Sequence, residues 1–225
     1  ISGNEESNEQ SKNDFFAHLE NNVFRNCNCL HGGALAIVSI YDVILKNNYF
    51  FNNSADFYGG HFLIVSADYT NIEGIYLNNS IADEGAAIFL RNIQNVALIN
   101  LQLYNSFSRK NGVIYCKNLK KIKIDGSYVS NLYSKMNGGF IYLFSSNAMI
   151  ENLNINNITS LLEGGVLFIH GASGLIFKNS IVYNIFSQMG SVLAVMNAIS
   201  IQIFNCSFIN SISSIELCAV LSNDI

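Results

Sequence analysis

The sequence contains no proline and no tryptophan, and Asp, Glu, Lys and Arg together make up only 12% of its 225 residues. A globular domain usually carries about a quarter. Half of the chain is hydrophobic, yet no apolar run reaches the ~18 residues of a membrane-spanning helix. The nearest, 191–204, is broken by Asn197, Ser200 and Gln202. A formal net charge of −4 argues against nucleic-acid binding, which requires a basic stripe. The opening residues, Ile1-Ser2-Gly3-Asn4-Glu5-Glu6, lack the basic and apolar regions of a secretory signal; a leader already removed or an internal piece of a longer chain is expected. Residues 1–14 are expected to form a polar N-terminal segment or weak cap, and 15–225 the folded body. The five cysteines are an odd number with only Cys27 and Cys29 close together, which fits neither a disulfide framework nor a zinc-binding pair.

What is present is a repeat. A small-residue pair followed by apolar residues recurs as Gly32-Gly33-Ala34-Leu35, Gly59-Gly60-His61-Phe62, Gly85-Ala86-Ala87-Ile88 and Asn111-Gly112-Val113-Ile114. It continues as Gly138-Gly139-Phe140-Ile141, Gly164-Gly165-Val166-Leu167, Gly190-Ser191-Val192-Leu193 and, degenerately, Leu217-Cys218-Ala219-Val220, always 26 or 27 residues apart. A second column, Asn26, Asn53, Asn79, Asn105, Asn131, Asn157, Asn184 and Asn210, keeps the same spacing, with an apolar residue two positions before each.

Five residues before that column stand Asn21, Asn48, Gly74, Asn100, Gly126, Asn152, Asn179 and Asn205. Only Asn and Gly occur there, the residues that most readily accept positive φ, so the column is expected to be a left-handed kink. The hydrophobic parity changes across it. Inward residues seven positions before the marker Asn are Leu19, Ile72, Leu98, Ile124, Ile150, Phe177 and Ile203, with Lys46 alone dissenting. Alternation of period two on both sides, without helical periodicity, gives three short strands per coil. A repeat of this length built from strands predicts an all-β solenoid: a right-handed single-stranded parallel β-helix of about eight coils, roughly 40 Å long at ~4.8 Å per coil. The marker Asn side chains are expected to stack as a structural ladder.

Gly32-Gly33-Ala34-Leu35, with Phe50-Phe51-Asn52-Asn53 leading into Gly59-Gly60, resembles the GGA[ILV]/FxxN repeat of chlamydial polymorphic outer membrane proteins. Related repeats occur in large surface proteins of protists, including ciliates, and both belong to the pectin-lyase-like β-helix class. The resemblance spans about 19–222. It implies an extracellular or surface-displayed, adhesin-like stalk within a longer chain.

Three surface features are candidates for function. Asp125 and Glu151 fall in one outward column in successive coils, with Lys178 next, and stacked carboxylates can share a proton or bind a cation. They are the catalytic candidates if the chain acts on acidic polysaccharide. Against that, every coil has the same length, so no inserted loop walls a cleft. The strand after the small pair presents Ala34, His61, Ala87, Val113, Phe140, Val166, Val192 and Ala219 in one column. The next holds Ala36, Leu63, Phe89, Tyr115, Tyr142, Phe168, Ala194 and Leu221. Read as outward, they form a continuous apolar face for protein packing, with Leu63, Phe89, Tyr115, Phe140, Tyr142 and Phe168 as its interface, or for sugar stacking. A ladder of rings that stabilises its own sheet is the bland alternative.

The remaining signals are weaker. His18, His31, His61 and His170 share no column, and no cofactor or metal is implied. Lys117, Lys120, Lys121 and Lys123 read as a solvated basic edge. Cys116 and Cys206 read as small core residues, and Cys27 and Cys29 as capping or packing. Of four glycosylation sequons, Asn52 and Asn78 are expected to be outward and stacked, and Asn157 and Asn205 inaccessible within the Asn columns. The expectation is a non-catalytic structural or adhesive module that packs against itself or the rest of its parent chain. An enzyme or binder of acidic polysaccharide is the alternative.

Overall fold

The fold was obtained as a computed structural model, which describes residues 15–172 and 174–215 and the backbone of 219–222. The expected N-terminal segment, 1–14, lies outside the described residues. The chain is a parallel β-solenoid of about eight turns. Its strands form a 12-stranded and a 9-stranded sheet, and every pairing between them is parallel. Each residue sits above its equivalent one coil earlier: Ile114 lies between Ile88 and Ile141, and Val129 between Leu103 and Ile155. The 26- or 27-residue spacing in the sequence is therefore one turn of the solenoid.

Among the described residues, each complete turn bends at four left-handed positions, where a single kink was expected. The expected kink is present at Asn21, Gly74, Asn100, Gly126, Asn152, Asn179 and Asn205, with φ between 52° and 64°. The marker Asn column is also left-handed, at Asn26, Asn79, Asn105, Asn131, Asn157, Asn184 and Asn210. So is the first glycine of the small pair, as at Gly59 and Gly138 (both φ 66°). A further column went unread: Ser39, Ser66, Asn92, Asn118, Ser145, Gly171 and Asn197. Four such corners break one turn into short straight pieces, and in the second coil the long strands 35–46 and 49–58 each run through a corner, at Ser39 and Asn52. Residues that tolerate positive φ without strain explain why Asn and Gly fill these columns.

In the second coil both Asn assignments shift by one. The kink is at Asn47, which pairs in register between Asn21 and Gly74, and the ladder residue is Asn52. Asn48 and Asn53 turn inward and are fully covered. The shift restores the parity that Lys46 broke, because Leu45 now occupies the inward column and is fully buried. The inward amides have work to do. Asn48 Oδ1 accepts from Asn22 N–H at 2.9 Å, and its Nδ2 donates to Leu19 O at 2.8 Å. Asn53 Oδ1 accepts from Cys27 N–H at 2.9 Å, and its Nδ2 donates to Phe24 O at 3.2 Å. Elsewhere the same inward positions hold apolar residues such as Leu101, Leu153, Leu132 and Ile158, or buried serines such as Ser127 and Ser180, whose hydroxyls accept from Leu101 N–H and Leu153 N–H.

The interior is a set of apolar columns stacked coil on coil. Ile72, Leu98, Ile124 and Ile150 form one; Phe50, Leu77, Leu103, Val129 and Ile155 form another, all fully buried. Serines occupy the tight corner before the glycine. Ser108, Ser134, Ser160 and Ser187 are buried, and each hydroxyl donates to carbonyls of that corner, such as Asp83 O and Asn111 O for Ser108. This satisfies backbone groups that an apolar residue would leave orphaned. At Gly60 a Cβ would run into Ala86 O of the next coil, so the chain there packs backbone on backbone.

Candidate functional site

The two columns read as an apolar outer face separate in the structure. A change of parity at the glycine corner turns the first one inward: Ala87, Val113, Phe140 and Val166 are fully buried in the core. His61 O accepts from both Ala34 N–H and Leu35 N–H, so two successive residues point the same way there. Phe140 is therefore a core residue and not part of an interface. The second column does face outward, but little of it is bare. Phe89 retains 2% of its exposure and Phe168 3%. In the last coil the register places Val220, not Leu221, above Ala194.

The rings cover one another. Phe168, Tyr142, Tyr115 and Phe89 stack with successive centroids 5.0 Å apart and planes within 16° of parallel. The stack then crosses to the other wall of the corner, from Phe89 to Tyr58 at 4.7 Å and on to His31 at 5.2 Å. A polar column runs beside it. Asn111 Nδ2 donates to Glu84 Oε1 at 3.4 Å, and Asn137 Oδ1 accepts from Glu163 N–H at 3.2 Å. Burial raises the Glu84 and Glu163 carboxyls above their ordinary values and raises the Tyr115 phenol. The bland alternative describes this face best: an internal ring ladder that ties coils together, each pair worth about 0.5–1.5 kcal/mol beyond its burial.

Asp125 and Glu151 are register partners in adjacent coils, as their shared column required. They do not face each other unshielded. Lys123 Nζ lies 2.8 Å from Asp125 Oδ2 and 2.9 Å from Glu151 Oε1, and Lys178 Nζ lies 2.8 Å from Glu151 Oε2. Asn152 Nδ2 also donates to Asp125 Oδ1 at 2.7 Å. The lysine hydrogen bonds hold both carboxyls below their usual range. A pair sharing a proton would hold one carboxyl high; this one is neutralised as two carboxylates.

No protein-family model, no curated protein and no solved structure matches the chain. Function rests on the surface itself. Among the described residues, a shallow groove runs along the outer face of 40–46 and its equivalents. One stretch of about 590 Å³ holds Tyr41, Tyr69 and Asn71, and a second of about 510 Å³ holds Lys120, Asn147 and Gln202. The two share Asn95 and Lys121. Tyr41 and Tyr69 are exposed and meet edge to face at 6.2 Å. Of the lysines read as a basic edge, Lys120 and Lys121 are exposed in this groove, Lys117 lies over the Phe144 ring, and Lys123 is tied to its carboxylates.

Among the described residues, no group of His, Cys, Asp and Glu is placed to hold a metal, and no helix is long and apolar enough to cross a membrane. Cys27, Cys29, Cys116 and Cys206 are free thiols. Cys116 is in the core, where burial pushes its thiol up, and Cys206 packs against the core edge. His18 and Glu20 lie 3.5 Å apart on the surface, and His170 stacks beside Phe144. His61, by contrast, is fully enclosed.

The asparagine ladder is real but lies on the surface. Asn79 donates to Asn52 at 2.9 Å, Asn131 to Asn105 at 3.1 Å, Asn157 to Asn131 at 2.8 Å and Asn210 to Asn184 at 3.2 Å. The sequon residues change places accordingly. Asn157 and Asn205 are exposed, where they were expected to be inaccessible. Asn52 and Asn78 do not share a column: Asn52 lies in the ladder, while Asn78 pairs in register with Tyr104 in the neighbouring column and its Oδ1 accepts from the ladder residue Asn105 at 2.9 Å.

Proposed function

We propose that this chain is a non-catalytic structural and adhesive module of a surface or extracellular assembly, acting as a stiff spacer that packs against other protein. The observation that carries this reading is the uniformity of the coils. Among the described residues, each complete turn bends at the same left-handed columns and none carries an inserted loop to wall off a reactive pocket. The acidic pair, the best catalytic candidate, is held as two lysine-bound carboxylates. The surface setting comes from the resemblance to polymorphic outer membrane protein repeats. The chain is offered acidic polysaccharides across a range of pH, and soluble products are measured. No turnover is expected. Turnover that disappears in Asp125→Ala or Glu151→Ala overturns the reading.

A second reading is favoured by the groove. Exposed Tyr41 and Tyr69 with Lys120, Lys121 and several amides suit an extended acidic glycan held by stacking and charge, without chemistry. Retention on an acidic-glycan column that is lost in Lys120→Glu with Lys121→Glu supports it; retention unchanged by that pair counts against it.

A further inference from the structure

The outer face of the 9-stranded sheet carries no charge along the middle of the solenoid. Five consecutive strands, Tyr76–Ala82, Gln102–Ser108, Tyr128–Ser134, Asn154–Ser160 and Ile181–Ser187, contain no Asp, Glu, Lys or Arg. Over the same coils the other sheet carries Arg91, Lys117, Asp125, Glu151 and Lys178. A solvated sheet face is normally polar, with charged side chains well represented. Rings and amides stand there instead. Tyr76, Tyr104 and Tyr128 step from coil to coil with centroids 5.4 and 5.6 Å apart. They alternate between two outward columns: Tyr76 and Tyr128 pair in register with Gln102, and Tyr104 with Asn78 and Ser130. Their planes are tilted by 37° and 38°, whereas the closed stack from Phe89 to Phe168 lies within 16° of parallel. Each tyrosine therefore keeps part of a ring face open, and all three are half-buried where Phe89 and Phe168 are sealed. The asparagine ladder runs beside them, and it is not one unbroken line. Asn105 donates to Asn78 Oδ1 at 2.9 Å and Asn184 to Asn156 Oδ1 at 3.0 Å, which passes over the side-chain carbonyls of exposed Asn79 and Asn157.

We propose that this face binds a neutral polysaccharide laid along the solenoid axis. The proposal rests on the adhesive reading above and names what is gripped. A β-linked pyranose chain presents flat patches of C–H flanked by hydroxyls. The C–H patches suit the open faces of tilted tyrosine rings, and hydroxyls both donate to and accept from side-chain amides. Coils repeat at ~4.8 Å, close to the advance of one sugar residue in such a chain, so each residue meets a ring or an amide. The missing charge has the same explanation. A lysine or carboxylate pressed against an uncharged ligand loses its water and gains no counter-charge. A dry protein surface suits the face less well. It would cover the amide row without partners, at a cost of about 1–3 kcal/mol for each group left unpaired.

The test uses the whole 225-residue chain, made in a host that adds no N-glycans, because the Asn78 and Asn157 sequons lie on this face. Its co-sedimentation with cellulose, chitin and mannan powders is measured. Saturable binding to at least one is expected, undiminished in roughly 0.5 M salt because no ion pair forms. Tyr104→Ala should weaken it about tenfold or more. Gln102 is exposed between Tyr76 and Tyr128, so Gln102→Arg crowds the face without removing a packed ring, and it should weaken binding as much. Far-UV spectra and thermal unfolding confirm that both variants fold. Lys120→Glu with Lys121→Glu, in the groove of the other sheet, should leave the binding unchanged. A chain that binds none of the three polymers overturns the proposal, as does binding lost in salt or indifferent to both variants. A dimer that Gln102→Arg dissolves, with no polymer bound, gives the face to a second copy and overturns it too. Each of these results leaves the non-catalytic reading standing, which only turnover of a glycan removes.

Discussion

Asn53 and His61 meet inside the solenoid, with Asn53 Nδ2 3.1 Å from His61 Nδ1. The amide donates, so the ring proton sits on Nε2, which is buried and has no partner among the described residues. Burial lowers the His61 pKa to about 3. An unfolded chain takes up that proton near pH ~6.5. The folded state therefore binds fewer protons between these values, and stability falls as pH falls from about 6.5 towards 3. At pH 5 the loss is about 2 kcal/mol relative to neutral pH. Asp125 and Glu151, held low by lysine, lose their contribution only at more acid pH. Denaturant unfolding of His61→Phe, which places in coil three the residue that the same column holds at Phe140, should be flatter than wild type between pH 7 and 5. An unchanged slope would remove His61 as the cause.

The register of the second coil can be checked with two neighbouring glycines. Asn47→Gly should cost less than ~0.5 kcal/mol, because glycine accepts its positive φ. Asn48→Gly should cost about 2 kcal/mol, because it strips inward hydrogen bonds from Asn22 N–H and Leu19 O. Equal costs, or the reverse order in thermal unfolding, would restore the register in which Asn48 is the kink.

Tyr115 stacks between Phe89 and Tyr142, so Tyr115→Ala opens a gap in the ring ladder. A loss of about 3 kcal/mol is expected. Tyr69→Ala, on an exposed ring, should change stability by less than ~0.5 kcal/mol. A Tyr115→Ala protein as stable as wild type would mean that the rings contribute little to coil cohesion.

Lys123 links two carboxylates, whereas Lys178 touches only Glu151. In Lys123→Met both carboxyls should titrate higher, Asp125 by more, since Glu151 keeps its second lysine. Carbon-detected NMR titration reads each group separately. A wild-type carboxyl of either residue that titrates above its ordinary value would revive a shared proton and the catalytic alternative.

The solenoid was legible because each coil repeats one local problem. Columns of Asn or Gly at constant spacing report positive φ directly, and Leu98, Ile124 and Ile150 report an inward column. The other three corners carried no such signature: the marker asparagines fit a side-chain ladder equally well, the small pairs fit tight packing, and serine, at Ser39, Ser66 and Ser145, has no strong preference for that conformation. The Asn47-Asn48 and Asn52-Asn53 doublets offered two registers of equal chemistry. Lys46 was the one residue that told them apart, since a lysine in the core column was the cost of choosing wrongly. The supposed apolar face was misread at Phe140 for a related reason: period-two alternation cannot show where a corner turns two successive residues inward.

The sequence by itself determined the coil length, the parallel stacking, one left-handed column of Asn and Gly and most of the core, because these follow from φ preference and alternation within one repeat. Only the tertiary structure decided which side of the surface is covered. Whether Phe89 and Phe168 are exposed depends on rings one coil away and on the wall that Tyr58 and Glu84 build beside them. Whether Asp125 and Glu151 act as a pair depends on where Lys123 and Lys178 reach. Exposure and ionisation belong to neighbours brought together by stacking, and no single repeat contains them.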